Sequence, residues 1–282
     1  MRFDCVVLDL DGTLTDLPHE APAFNAAFPA LVADLLGRDL GGAWEKAVRL
    51  VRERSPELPW IIEGRAIAPA DADPYILASS AAQLVFDEFA VLTRDPALRS
   101  DVITTIFRRA YQQTGAAFRP EVKAVLEAIL ARVPAVFVVT NAATEVAKRK
   151  LESLAPAGIE RLRIRGDARK FLIGPAAKAD DRFAAVPREK HVAGLQRPVL
   201  LERGRYFDAL AAIWQESGAA PEKTLVCGDI YEMDLALPAA LGASVHLVKR
   251  ERTFGYEIDA VTALGDRGGV SEGVEALLRR IG

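Results

Sequence analysis

The chain has 282 residues, half of them hydrophobic and 27% charged, with a net charge of -3; that is enough for one large domain or two modest ones around a sizeable core. The balance gives neither the basic field that nucleic acid requires nor a polybasic patch for a membrane surface, which argues against both partners. Two cysteines, Cys5 and Cys227, lie inside apolar runs, which suits buried free thiols in a reducing cytoplasm and leaves a disulfide between them open.

Met1–Asp11 has one early basic residue and an apolar run broken by Asp4 and Asp9, too short and too charged for a signal peptide or a spanning helix. Within it, Phe3–Leu8 ends in acidic residues and a glycine, predicting a buried strand and a turn. From Leu17 to Arg119 the character changes. Ala23–Leu36, Ala43–Arg54, Ile76–Leu92 and Asp101–Gln113 carry helical periodicity, with no convincing strand between them. Such a block is too long for a crossover, so 17–118 is expected to be an inserted all-helical cap, with 1–16 and 119–282 forming the catalytic core.

Beyond it, valine-bearing runs recur at Ala135–Val139, Thr224–Cys227 and Ser244–Val248, with a fainter one at Arg161–Arg165. Helices are predicted at Ala143–Leu154, Tyr206–Ser217 and Leu235–Leu241; the second places Ala209, Leu210, Ile213 and Trp214 on one face. Strands alternating with helices imply an α/β fold, a parallel sheet covered on both faces with its functional loops at the carboxyl ends of the strands. Gly166–Pro198, rich in Lys, Arg, Asp and Pro, reads as a loop, a hairpin or a flap, and no internal repeat or low-complexity tract is present.

Three strand ends carry chemistry. Asp9-Leu10-Asp11-Gly12-Thr13-Leu14 follows the first strand, and carboxylates at i and i+2 of an extended segment point the same way. One can attack phosphorus; the other can protonate the leaving oxygen and then activate water, while Gly12 permits a sharp turn. Gly228-Asp229 follows a later strand and supplies a hard oxygen ligand for magnesium, with Asp234 holding a metal-bound water, supporting the turn or capping the next helix. Glu232 is a weaker acidic candidate there. Thr140-Asn141 ends the Ala135–Val139 run, where a hydroxyl and backbone amides can bind phosphate oxygens or cap a helix.

In combination these segments resemble the haloacid dehalogenase-like superfamily. Its first motif matches Asp9-Leu10-Asp11-Gly12-Thr13, its second Thr140-Asn141, and its fourth Gly228-Asp229 with Asp234. The resemblance implies a Rossmann-like core with a helical cap inserted after the first motif. It also implies phosphatase or phosphomutase chemistry on a small phosphorylated metabolite, because dehalogenases lack the second aspartate. Magnesium would be held by Asp9, the Asp11 carbonyl and Asp229, with Asp234 nearby. A catalytically weak regulatory or binding member of the same fold is the remaining alternative, and a monomer or homodimer is expected.

The family's third motif, a lysine before the helix preceding the fourth strand, has no direct match. Leu200-Leu201-Glu202-Arg203-Gly204-Arg205 holds no lysine, so Arg203 is the best positional substitute, Arg205 is next, and Lys170 could reach in instead. A cation is required because nucleophile, metal ligands and phosphate crowd negative charge together. The rest read as structure. His19, His191 and His246 lack metal-ligand spacing; Lys148-Arg149-Lys150 suits a solvated helix end; Trp44, Trp60, Phe86 and Phe89 suit the cap core. Arg52, Arg54 and Arg65 are on hand to meet an anionic substrate, with nothing to choose among them.

Overall fold

The computed structural model describes residues 3–282. Cys5–Leu8 forms strand β1, and all four of its side chains are buried. The chain enters the inserted segment after Thr15 and leaves it at Phe118; these two residues form an isolated antiparallel bridge. The molecule divides there into two compact units, Met1–Asp16 with Phe118–Gly282, and Leu17–Ala117.

The inserted unit runs α1 (Leu17–Leu36), α2 (Ala43–Arg54), β2 (Pro59–Ile62), β3 (Arg65–Pro69), α3 (Pro74–Glu88) and α4 (Pro96–Tyr111). Helix α1 starts at Leu17 rather than Ala23 and runs through Pro22 and Pro29. Proline inside a helix costs about 3 kcal/mol, and burial of Leu17, Phe24, Phe28 and Val32 against α3 and α4 offsets it. Phe24 lies edge-on to Tyr75 at 4.8 Å and to Phe107 at 5.3 Å. Phe86 is buried in this cluster, with Trp44 and Phe89 packed at its margin. Asp73 and Asp95 cap α3 and α4, accepting from the Ile76 and Leu98 amides, and proline follows each cap.

An all-helical unit is not what forms. β2 and β3 make an antiparallel hairpin, turned by Glu63 and Gly64 at φ 50° and 73°. A two-residue connection of this kind needs positive φ at both positions. Prolines at its ends and a register shift between Trp60 and Ile61 erase the alternation that marks a strand in sequence. Gln83 of α3 donates to the Ile61 carbonyl at 2.9 Å and holds the hairpin to the helices.

The other unit continues with α5 (Val122–Arg132), β4 (Ala135–Val139), α6 (Thr144–Leu154), β5 (Leu162–Arg165), α7 (Asp181–Ala184), β6 (Glu189–Lys190), β7 (Val199–Leu200), α8 (Gly204–Ser217), β8 (Thr224–Gly228), α9 (Ala236–Ala240), β9 (Ser244–Val248), α10 (Gly255–Thr262), β10 (Gly268–Ser271) and α11 (Leu277–Ile281). Six strands form one sheet in the order β10-β9-β8-β1-β4-β5, every pair parallel. Side chains alternate between its faces. Cys5 and Val7 join Phe137, Val139 and the α8 residues Phe207, Leu210, Ile213 and Trp214. Val6 and Leu8 join Val136 and Val138 with Val125, Leu126 and Ile129 of α5 and Leu151 of α6. The result is a Rossmann-like three-layer core. Cys5 and Cys227 belong to opposite faces, and both are free.

β10 is absent from the sequence reading because Gly268-Gly269-Val270-Ser271 offers no apolar run; it pairs with β9 along the backbone, Gly268 opposite Val245, and Ser271 Oγ meets His246 Nε2 at 2.7 Å. Within Gly166–Pro198 the regular elements are α7 and β6, the latter paired antiparallel with β7. No helix among the described residues is long and apolar enough to cross a membrane.

Candidate active site

Parallel pairing puts the carboxyl ends of β1, β4, β5 and β8 on one edge; Asp9, Asp11, Thr140, Asn141, Lys170, Asp229 and Asp234 each follow one of those ends, and Arg203 directly precedes α8. The Asp9 amide donates to the Cys227 carbonyl at 2.9 Å, so the first aspartate continues the β1–β8 ladder. On the other side, the Thr140 amide donates to the Arg165 carbonyl at 3.0 Å. Gly12, at φ 87°, then turns the chain back, and its amide donates to the Thr15 hydroxyl at 3.0 Å. The Thr13 hydroxyl thereby comes within 3.1 Å of Asp9 Oδ2 and 3.5 Å of Asp229 Oδ1.

Asp9, Asp229 and Asp234 are all buried, and each offers a carboxylate oxygen within 4.8 Å of the others. Close approach is built into the backbone. A Cβ on Gly228 would stand 2.3 Å from the Asp234 Cβ, so only glycine lets the turn carrying Asp234 fold against the end of β8. That turn, Tyr231–Leu235, is a π-helical one. It points Asp234 back so that its Oδ2 accepts from the Ile230 amide at 3.0 Å.

The cation is Lys170. Its ammonium donates to Asp9 Oδ1 at 2.5 Å and to Asp234 Oδ1 at 2.6 Å, over the Tyr206 ring. Burial alone would lower its pKa, but the Asp234 and Asp9 carboxylates outweigh burial and raise it, so the charge is permanent. Asp9 shows the opposite contest. Burial pushes its carboxyl up to about 7, the Lys170 ammonium opposes this, and Asp234 and Asp11 add to the rise. With all three carboxylates ionised, the site would carry two net negative charges beside the one ammonium. A divalent ion would neutralise it, and a donor set made entirely of carboxylate oxygens suits the hard ions of the magnesium class.

Arg203, the first choice by position, does something else. It is fully buried, and its guanidinium donates to the Leu200 carbonyl at 3.0 Å and to the Lys170 carbonyl at 2.7 Å. Burial lowers its pKa to about 10. Arg203 therefore braces the backbone of the lysine; the positional argument failed because Lys170 arrives from the segment after β5 and not from the start of α8. Arg205 is exposed. Asn141 belongs to the same brace, its Oδ1 accepting from the Lys170 amide at 2.7 Å. The Thr140 hydroxyl accepts from the Ala142 amide at 3.1 Å, which leaves its own proton to donate.

A family model for haloacid dehalogenase-like hydrolases matches residues 3–242. The chain belongs to that family. Among solved structures, the haloacid dehalogenase-like hydrolase YfnB of Bacillus subtilis, bound to magnesium, aligns with a TM-score of 0.54 at 11% identity, covering 100% of this chain and 99% of that one. A protein of Haemophilus somnus predicted to be a phosphoglycolate phosphatase aligns at 0.51 and 17% identity, over 91% of this chain and 88% of that one. One from Thermotoga maritima, assigned as a β-phosphoglucomutase, aligns at 0.52 and 13% identity, over 100% and 98%. At such identities the likeness speaks for the fold. No curated protein matches the chain.

The remaining candidates of this haloacid dehalogenase-like hydrolase divide cleanly. Asp11 is half-buried, and its Oδ1 accepts from the Lys150 ammonium at 2.9 Å. Sequence reading placed Lys150 in solvent with Lys148 and Arg149; those two are exposed, whereas Lys150 is buried on the inward face of α6. Its signal was available, because it occupies an apolar-face position beside Ala147 and Leu151. Glu232 stands apart from the carboxylate trio, held by both Arg197 nitrogens at 2.8 and 2.7 Å and by the Tyr256 hydroxyl at 2.7 Å. His19, His191, Arg52, Arg54 and Arg65 are exposed, and His246 is buried against the Ser271 hydroxyl. Arg119 was missed altogether. It donates to the carbonyls of Gly12 at 2.8 Å, Lys249 at 3.1 Å and Glu272 at 2.8 Å, tying the turn after Asp9 to the loops after β9 and β10.

Proposed function

We propose that this hydrolase is a magnesium-dependent phosphatase that transfers the phosphoryl group of a small phosphorylated metabolite to Asp9 and then to water. The observation that carries the reading is the trio Asp9, Asp229 and Asp234, neutralised in part by one buried lysine, with a second carboxylate two residues beyond the nucleophile. Asp9, Asp229 and the Asp11 carbonyl would hold the ion, and Asp234 would keep Lys170 and the Gly228 turn in place. When bound, magnesium would offset the charge of the phosphoryl oxygens.

The chain's own groups account for the steps. Thr13 and Lys170 fix both oxygens of Asp9, which leaves its carboxylate a single direction of approach to phosphorus. As the new bond forms, the ester oxygen leaves with a proton from Asp11, and an aspartyl phosphate remains on Asp9. Asp11, now ionised, takes a proton from water as that water attacks the phosphorus, which regenerates the Asp9 carboxylate and releases phosphate. The Lys170 ammonium and the Thr140 hydroxyl stabilise the phosphoryl oxygens throughout.

Phosphate release from p-nitrophenyl phosphate, with magnesium and with EDTA, tests this directly. Wild-type protein should turn over only with the metal, and Asp9→Asn should lose at least about a thousandfold in kcat. Equal rates for the two proteins would remove the nucleophile and the proposal with it. A panel of phosphorylated metabolites then ranks substrates by kcat/KM.

A further inference from the structure

Lys150 belongs to none of the sequence motifs, yet its side chain is only 7% exposed and lies 2.9 Å from Asp11. It shares the inward face of α6 with Ala147 and Leu151, both part of the apolar cluster behind β1 and β4. A methionine or leucine would fill that place without desolvating a charge. An ammonium is retained there at a cost, and the group it meets is the carboxylate that the reaction asks to give and take a proton. Asp11 needs such a holder. Its side chain is 21% exposed, between fully buried Leu10 and the reversal at Gly12, and the Lys150 ammonium reaches its Oδ1 from across the sheet edge. The other lysine cannot serve, because Lys170 is committed to Asp9 and Asp234. The site thus carries two ammonium groups with separate tasks, one on the nucleophile and one on the acid.

We propose that Lys150 is the positioning residue of Asp11, fixing the acid–base carboxylate through its Oδ1; this rests on the phosphatase reading above. The role has a signature that loss of packing lacks. An alkyl phosphate expels a strongly basic alkoxide and depends on the proton from Asp11, whereas p-nitrophenolate leaves readily without one. The value of kcat/KM reports the first irreversible step, transfer to Asp9, so the comparison excludes the later attack by water.

Lys150→Met should therefore lower kcat/KM for glycerol 1-phosphate by about tenfold or more. The same variant should leave p-nitrophenyl phosphate within about threefold, and Lys150→Arg should recover much of the loss. In an Asp11→Asn background, Lys150→Met should change neither substrate further, because a residue acting through Asp11 has nothing left to act on. If Lys150→Met does not fold, the same ratio is read from Lys150→Gln. Equal losses on both esters, no loss on either, or an additive loss in the Asp11→Asn background would each overturn the positioning role while the phosphatase stands. A wild-type protein inert towards both esters would overturn the phosphatase reading, and this role with it.

Discussion

Asp9 is where burial and chemistry pull against each other. Its carboxyl titrates near 7 in the fold against a usual 3.8, so the folded chain holds a proton that the unfolded chain has already released. The stability tied to that proton is complete below pH 4 and disappears as the pH rises through 7. In EDTA, the melting temperature of Asp9→Asn should therefore match wild type near pH 4 and exceed it at pH 8; a gap that is the same at both values would contradict the assignment. Added magnesium should raise the wild-type melting temperature at pH 8 more than that of the variant, because the ion binds the ionised site of the folded state. Gly228 tests the same crowding sterically. Gly228→Ala drives a methyl group into the Asp234 side chain, and should cost about 1–3 kcal/mol in urea unfolding. Asp9 and Gly228-Asp229 were legible because they stand at the ends of apolar strands. Lys150 was passed over because it adjoins the exposed Lys148 and Arg149, although its spacing from Ala147 and Leu151 marks the buried face of α6.

Brace and charge come from different elements around Lys170. The segment after β5 delivers the ammonium, while Arg203 at the start of α8 and Asn141 after β4 hold the lysine's backbone. Lys170→Met should accordingly abolish turnover by about a thousandfold with the fold retained. Arg203→Met strips two carbonyls of their buried donor, and should show first as a loss of about 2–4 kcal/mol in stability. If Arg203→Met destroys catalysis at unchanged stability, the brace assignment is wrong. The elements that sequence missed share one trait. The β2–β3 hairpin and β10 are held by backbone pairing and turn geometry, with prolines or glycines where strands normally show alternating apolar side chains. Periodicity detects an alternating buried face, whereas β3 buries Ile67, Ala68 and Pro69 in succession and no residue of β2 or β10 is fully buried.

At the scale of the whole molecule, each unit has its own core. The two clusters on either side of the main sheet draw only on residues before Asp16 and after Ala117, and the cluster of the insertion only on residues within it. Thr15 and Phe118 already pair across the insertion point. Replacing 17–117 by a short Gly-Ser linker should leave a cooperatively unfolding α/β core, checked by circular dichroism and urea titration; a molten or insoluble product would show that the core depends on the insertion. By itself, the order of residues determined the alternation of strand and helix, the place of the insertion and the positions of the four candidate carboxylates Asp9, Asp11, Asp229 and Asp234, because hydrophobic runs and the residues that end them are local properties. Only the tertiary structure decided which cation meets Asp9, which side chain holds Asp11 and why Asp234 can approach β8. Those are contacts between segments far apart in the chain, and their distances depend on how the layers pack.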